Sequence, residues 1–204
     1  MSTVMVWDGY KYQPAPEQAI GGGWDDVQGP VGQAGGASAL TFEAYSTTNY
    51  NMYLMRHDQN DTLYLEYQMP HSWDRTQVRP HIHIIPMANP AVSENIYFEG
   101  EYAWMQAGKA APVAPWTAFN STFTVTPGMG LTNRVLLLVQ VQPPADPQES
   151  DILLLWVRRA GKNVLDTYTT GKAVGLAAAN MAVVSIDCHF RKDKSGTEQE
   201  FPEA

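Results

Sequence analysis

The densest group of side chains able to hold a metal or move a proton is Pro70-His71-Ser72-Trp73, followed after a short link by Arg79-Pro80-His81-Ile82-His83. Imidazole is a good nitrogen ligand when neutral, and its charge changes close to physiological pH. In an extended strand, residues two apart project from one face, so His81 and His83 are placed to share an ion. Asp187 and His189 repeat that spacing in a later extended run. If the two strands are neighbours, three imidazoles and a carboxylate converge, a donor set suited to Zn, Fe or Mn.

Such a set points to a cupin-like metal-dependent enzyme using His81 and His83. The cupin spacing places a glutamate a few residues after the second histidine, and here that stretch reads Ile84-Ile85-Pro86-Met87-Ala88. The alternative is that the histidines are neutral, hydrogen-bonded residues filling a polar layer or lying at a subunit boundary. That reading is adopted: His81, His83 and His189 remain candidate ligands, and no metal, cofactor or catalytic residue is assigned. Ser72 and Ser185 lack the context of an activated nucleophile. Tyr97, Tyr102, Trp104, Trp116 and Trp156 suggest a sugar-stacking platform, hence a carbohydrate-binding module, although aromatic residues in strands more often form core or interface. Asn120-Ser121-Thr122 matches a glycosylation acceptor, which carries no weight without a secretion signal.

These side chains must be positioned by strands. From Ala39 onward, short extended segments alternate with turn residues, the punctuation of a β-sandwich or jelly roll. Candidate strands are 40–45, 51–56, 62–68, 78–86, 94–106, 121–126, 134–142, 151–159 and 181–192. Alternation places Leu63, Leu65 and Tyr67 opposite Tyr64, Glu66 and Gln68, and Val184, Ile186, Cys188 and Phe190 opposite Ser185, Asp187 and His189. Residues 135–139 and 152–157 are apolar at nearly every position, which requires cover on both faces and favours an oligomer. Residues 172–180 are compatible with a helical turn or a loop.

Eight of the sixteen glycines fall between Gly9 and Gly36, mixed with Pro14, Pro16 and Pro30, so no helix or central strand is expected there. Rings at Trp7, Tyr10, Tyr12 and Trp24 gain free energy only by being buried, so residues 1–38 read as an extended arm that packs on its own body or on a neighbouring subunit. The expected organisation is therefore the arm at 1–38, an all-β, jelly-roll-like antiparallel β-sandwich at 39–192, and a polar tail at 193–204.

Composition narrows the partners. A formal charge of −8 disfavours wrapping nucleic acid or docking on an anionic membrane. The basic pairs Arg158-Arg159 and Arg191-Lys192 read as solvated strand ends. One cysteine, Cys188, excludes an internal disulfide framework and reads as a small buried hydrophobe. No segment approaches the roughly eighteen apolar residues of a spanning helix, and the N-terminus does not read as a secretion signal, so a soluble, cytoplasmically made product is expected.

The run Tyr67-Gln68-Met69-Pro70-His71-Ser72-Trp73 with Arg79-Pro80-His81-Ile82-His83 resembles a family of tailed-bacteriophage virion structural proteins that carry an "LPHSW…HPHIHW"-like signature. Trp24-Asp25-Asp26-Val27, Ser150-Asp151-Ile152-Leu153-Leu154 and Ser185-Ile186-Asp187-Cys188-His189-Phe190, running into Ser195-Gly196-Thr197-Glu198-Gln199-Glu200, fit the same pattern in order along the chain. The sequence departs from it at Ile84, where a Trp is usual, and at Asp74-Arg75-Thr76-Gln77, where a Lys/Glu/Gly link is common. The resemblance implies a non-enzymatic capsid decoration (cement) protein on the virion surface. Such a protein is a homo-oligomer, expected as a homotrimer, that bridges subunits of the major capsid protein; a tail or connector component is the alternative. Association is expected through Trp7, Tyr10, Tyr12 and Trp24 of the arm and through Leu136, Leu138, Leu153 and Leu155 of the doubly apolar strands.

Overall fold

The structure is a computed structural model that describes residues 5–7, 12–14, 24–28, 31–33, 41–44, 51–56, 62–106, 108–110, 116–170 and 179–192. The described residues form strands and turns without a helix. The strands are β1 (Met5–Trp7), β2 (Tyr12–Pro14), β3 (Trp24–Gln28), β4 (Val31–Gln33), β5 (Thr41–Ala44), β6 (Asn51–Arg56) and β7 (Thr62–Gln68). They continue with β8 (Arg79–Pro86), β9 (Glu94–Met105), β10 (Thr117–Val125), β11 (Arg134–Leu137), β12 (Ile152–Arg159) and β13 (Ala179–Arg191).

Two antiparallel sheets face each other. One has the order β10-β9-β12-β7-β4 and the other β11-β8-β13-β6-β5, while β3 lies against β13 and β1 pairs with β2. Strands β6 to β13 alternate between the sheets, except that β9 and β10 pair in the same one, giving β6-β13-β8-β11 in one sheet and β7-β12-β9-β10 in the other. That is the order of an eight-stranded jelly roll, so the expected all-β antiparallel sandwich is the observed fold.

Alternation drives the layering. Leu63, Leu65 and Tyr67 of β7 are buried while Tyr64, Glu66 and Gln68 are exposed. Leu153, Leu155 and Val157 of β12 meet them in one core with Trp73, Ile82, Ile84, Phe98, Ile186, Cys188 and Phe190. Burying each such side chain contributes roughly 1.5–3 kcal/mol, and the shared core holds the sheets face to face. A second, smaller apolar cluster, Met52, Leu54, Ile85, Met87 and Ala182, is buried on the opposite face of the β8–β13–β6 sheet.

Several sequence expectations are corrected. Leu153 and Leu155 are fully buried in the single chain, Leu138 is buried as well, and Leu136 is half-buried against the core, so these four do not form an outer association surface. The exposed apolar side chains of β11 are Val135, 54% accessible, and Leu137, 41%. The expected strand at 134–142 ends at Leu137, because Pro80 on the facing strand has no N–H to continue the ladder. An extra residue also intervenes there: Leu138 N–H donates to Pro80 O, and the next paired position is Val141 with Val78.

The strand expected at 121–126 starts earlier, as Thr117–Val125. Arg159 is not a solvated strand end but is 0% exposed. Within 1–38, Trp24–Gln28 and Val31–Gln33 form ladders with β13 and β7, so part of the arm is built into the sandwich edges. Tyr10 and residues 193–204 lie outside the described residues, as do the side chains of Trp7 and Tyr12 and all but the last two of residues 172–180.

Candidate functional site

The histidine-bearing strands are neighbours. β8 and β13 pair antiparallel with His81 opposite Asp187, His83 opposite Ser185 and Arg79 opposite His189. On their other side, β13 residues Asp187 and His189 stand opposite Gln28 and Asp26 of β3. One row across the outer face therefore runs Leu137, His81, Asp187, Gln28.

A bulge sets this alignment. Pairing between β13 and β8 is regular from Met181 to Val183 and resumes at Ser185, leaving Val184 as an extra residue. Val183 and Ile186 both point into the core, and Val184 is exposed rather than sharing the face of Ile186, Cys188 and Phe190 as alternation predicts. Were Val184 paired in regular alternation instead of bulged, parity from Val183 would turn Asp187 inward and Ile186 outward. A bulge that re-aims a side chain in this way is a recurrent device near functional sites.

His81 is 4% exposed and Asp187 7%. His81 Nε2 lies 2.7 Å from Asp187 Oδ1, and His83 Nε2 lies 3.5 Å from the same oxygen. The nitrogens of His81 and His83 and the oxygen of Asp187 all fall within 4.8 Å of one another. His189 joins the cluster differently: its ring meets His81 edge-on at 4.0 Å between centroids, and its Nε2 lies 2.6 Å from Asp26 Oδ1. Burial pushes the His81 imidazole below its ordinary pKa, against the upward pull of Asp187, with His189 adding to the depression. His81 Nδ1 faces Arg79 O at 3.4 Å, and His83 Nδ1 faces the Asn133 amide at 3.5 Å.

Sequence reasoning anticipated the convergence of His81, His83, His189 and Asp187 as a condition on strand adjacency, and the jelly-roll order meets that condition. It missed Asp26, which reaches His189 from the arm, and Asn133, which arrives from the turn before β11. Neither carries a local sequence signal, since both contacts depend on long-range pairing.

Trp73 sits close by in the chain. Trp73 is buried, donates from Nε1 to Thr76 O at 3.0 Å, and stacks on Trp104 with centroids 5.5 Å apart. Segment 69–78 carries the chain from β7 in one sheet to β8 in the other, so this ring anchors a crossover between layers.

The proposed aromatic platform is divided. Tyr102 and Trp104 pack against the core, whereas Tyr97 and Trp156 line a separate depression of about 360 Å³ with Glu99, Glu101, Phe119 and Arg158. There Trp156 Nε1 donates to Glu101, and Arg158 pairs with Glu99, so the polar groups already hold one another.

No protein-family model matches the chain, and no curated protein does. Among solved structures, an arabinose-bound α-L-arabinofuranosidase, MgGH51, is similar at 8% identity with a TM-score of 0.33. The match covers 82% of this chain and 23% of that enzyme, so the chain spans about a quarter of the length of the protein it resembles.

Proposed function

We propose that the chain is a structural component of a bacteriophage virion, a capsid decoration protein that assembles as a homotrimer and bridges major capsid subunits. The observation that carries the reading is the use of the signature residues: Pro70 to Trp73 lie in the crossover between the two sheets and Arg79 to His83 open the strand it leads into, with Trp73 locked between Thr76 and Trp104. A family that keeps this run would be keeping a scaffold joint. The exposed edge strand β11, with Val135 and Leu137 outward, offers an apolar surface for a neighbouring subunit. The acidic charge suits a position outside the packaged nucleic acid.

A cupin-like enzyme would need a reaction chamber between the sheets. Here Tyr67, Trp73, Phe98, Leu155 and Ile186 occupy that space, and the histidines face outward.

The test is an inventory of particles of the phage that encodes the chain. Quantitative mass spectrometry should find hundreds of copies per particle, and light scattering of the purified chain should give three times its 22.6 kDa mass. About a dozen copies or fewer would move the protein to the connector or tail. Absence from the particle would overturn the reading.

A further inference from the structure

We propose that His81 Nε2, His83 Nε2 and Asp187 Oδ1 form a three-ligand site for a divalent first-row transition ion of the Zn²⁺ class. The inference is independent of the virion reading, since it rests on the cluster alone.

Three observations carry it. First, Asp187 Oδ1 is buried and accepts no hydrogen bond among the described residues, although two imidazole nitrogens lie 2.7 and 3.5 Å away. A buried carboxylate oxygen without a donor is costly, and a cation shared with the two rings relieves that cost. The ion-pair contacts of Asp187 run to imidazoles, not to Lys or Arg, so its charge is left for such an ion.

Second, the spacing fits. An ion about 2.1 Å from each donor holds neighbouring donors about 3.0–3.4 Å apart. The observed 2.7 and 3.5 Å bracket that range, and all three donor atoms lie within 4.8 Å of one another, so side-chain rotations can draw them into one shell. Third, His81 is oriented as metal-bound histidines are. Its Nδ1 faces a backbone carbonyl, which draws the ring proton to that nitrogen and leaves the Nε2 lone pair free for an ion. Two imidazoles and one carboxylate oxygen favour Zn²⁺, Fe²⁺ or Mn²⁺ over Ca²⁺ or Mg²⁺, which prefer all-oxygen shells. Because two ligands come from β8 and one from β13, the ion ties the strands together on the outer face.

The experiment uses the untagged full chain, stripped with a chelator and titrated with Zn²⁺ alone by calorimetry. One equivalent should bind, and Zn²⁺ at about a hundredfold excess over its Kd should raise the melting temperature by about 5 °C or more. Asp187→Asn, which keeps the shape, and His83→Asn, at the most accessible ligand, should each weaken binding at least about a hundredfold. His71→Ala should leave it unchanged. Circular dichroism and metal-free melting of each variant verify that it is folded. Absence of stoichiometric uptake at about 100 µM Zn²⁺ would overturn the proposal, as would uptake that survives both substitutions in folded protein.

Discussion

Asp187 stands directly across the ladder from His81, Oδ1 to Nε2 at 2.7 Å, and it does so because Val184 is an extra residue in β13. Deleting Val184 should close the bulge and leave Ser185, Ile186 and Asp187 on the faces they now occupy, because Val183 inward, Ser185 outward and Ile186 inward then alternate without a break. Deleting Val184 and Ser185 together should instead turn Ile186 outward and Asp187 toward the core, and burying an unpaired carboxylate while exposing an isoleucine costs at least about 4 kcal/mol. Urea unfolding of the two variants separates these outcomes, and equal midpoints would show that the bulge does not set the parity.

A buried ion pair holds the turn after β12. Arg159 donates from Nε and Nη2 to Asp166 at 2.8 and 2.7 Å and from Nη2 to Tyr168 O, while Asp166 also accepts the Tyr97 N–H. Both side chains are inaccessible to water. Asp166→Ala leaves the guanidinium uncompensated and should cost about 3–5 kcal/mol, lowering the melting temperature by roughly 6–20 °C. A double Arg159→Met, Asp166→Leu variant should lose less than Asp166→Ala alone, because it removes both charges. Calorimetric melting of the two variants decides the point.

Cys188 lies in the core, and burial pushes its thiol well above the ordinary range. The raised pKa favours the protonated form, so the reactive thiolate is scarcer at pH 8 than in a free cysteine. A colorimetric thiol reagent should label native protein at roughly a hundredth or less of the rate seen in guanidinium. Rapid labelling of native protein would mean that β13 opens readily.

Trp73 anchors the chain where it changes sheets. Trp73→Ala removes a fully buried ring, its hydrogen bond to Thr76 O and its stacking on Trp104, and should cost about 3–5 kcal/mol. Trp73→Phe keeps much of the packing and should cost less. The ranking is read from denaturant midpoints, and a silent Trp73→Ala would remove the scaffold role given to the signature run.

Much of this architecture is legible in periodicity. Leu63, Leu65 and Tyr67 face inward as period-two alternation requires, and the spacing of His81 with His83 and of Asp187 with His189 put all four on one face once their strands paired. What alternation cannot register is a single inserted residue: Val184 has the same apolar character as its neighbours, yet it reverses parity for everything after it. Doubly apolar runs misled for a related reason. Leu153 and Leu155 look no different from Ile152 and Leu154, and only the packing of two sheets decides which pair fills the core. Arg159 and Asp166 read as ordinary surface charge because their burial follows from where the loop after β12 folds, a tertiary property.

Association is the remaining consequence of the sandwich edges. Among the described residues β11 is the end strand of its sheet, and Val135 and Leu137 project outward from it on the face that also carries His83 and His81. An apolar edge strand invites pairing with a second chain, and a lysine at such a position blocks it by placing a charge in the contact. A Val135→Lys, Leu137→Lys variant should therefore break the proposed trimer and leave a monomer in light scattering. Because both side chains are already largely in water, the monomer's fold should change in stability by no more than about 1 kcal/mol. A variant that remains trimeric would direct the subunit contact elsewhere, and one that unfolds would mean that β11 is held in place by its neighbour rather than by β8 alone.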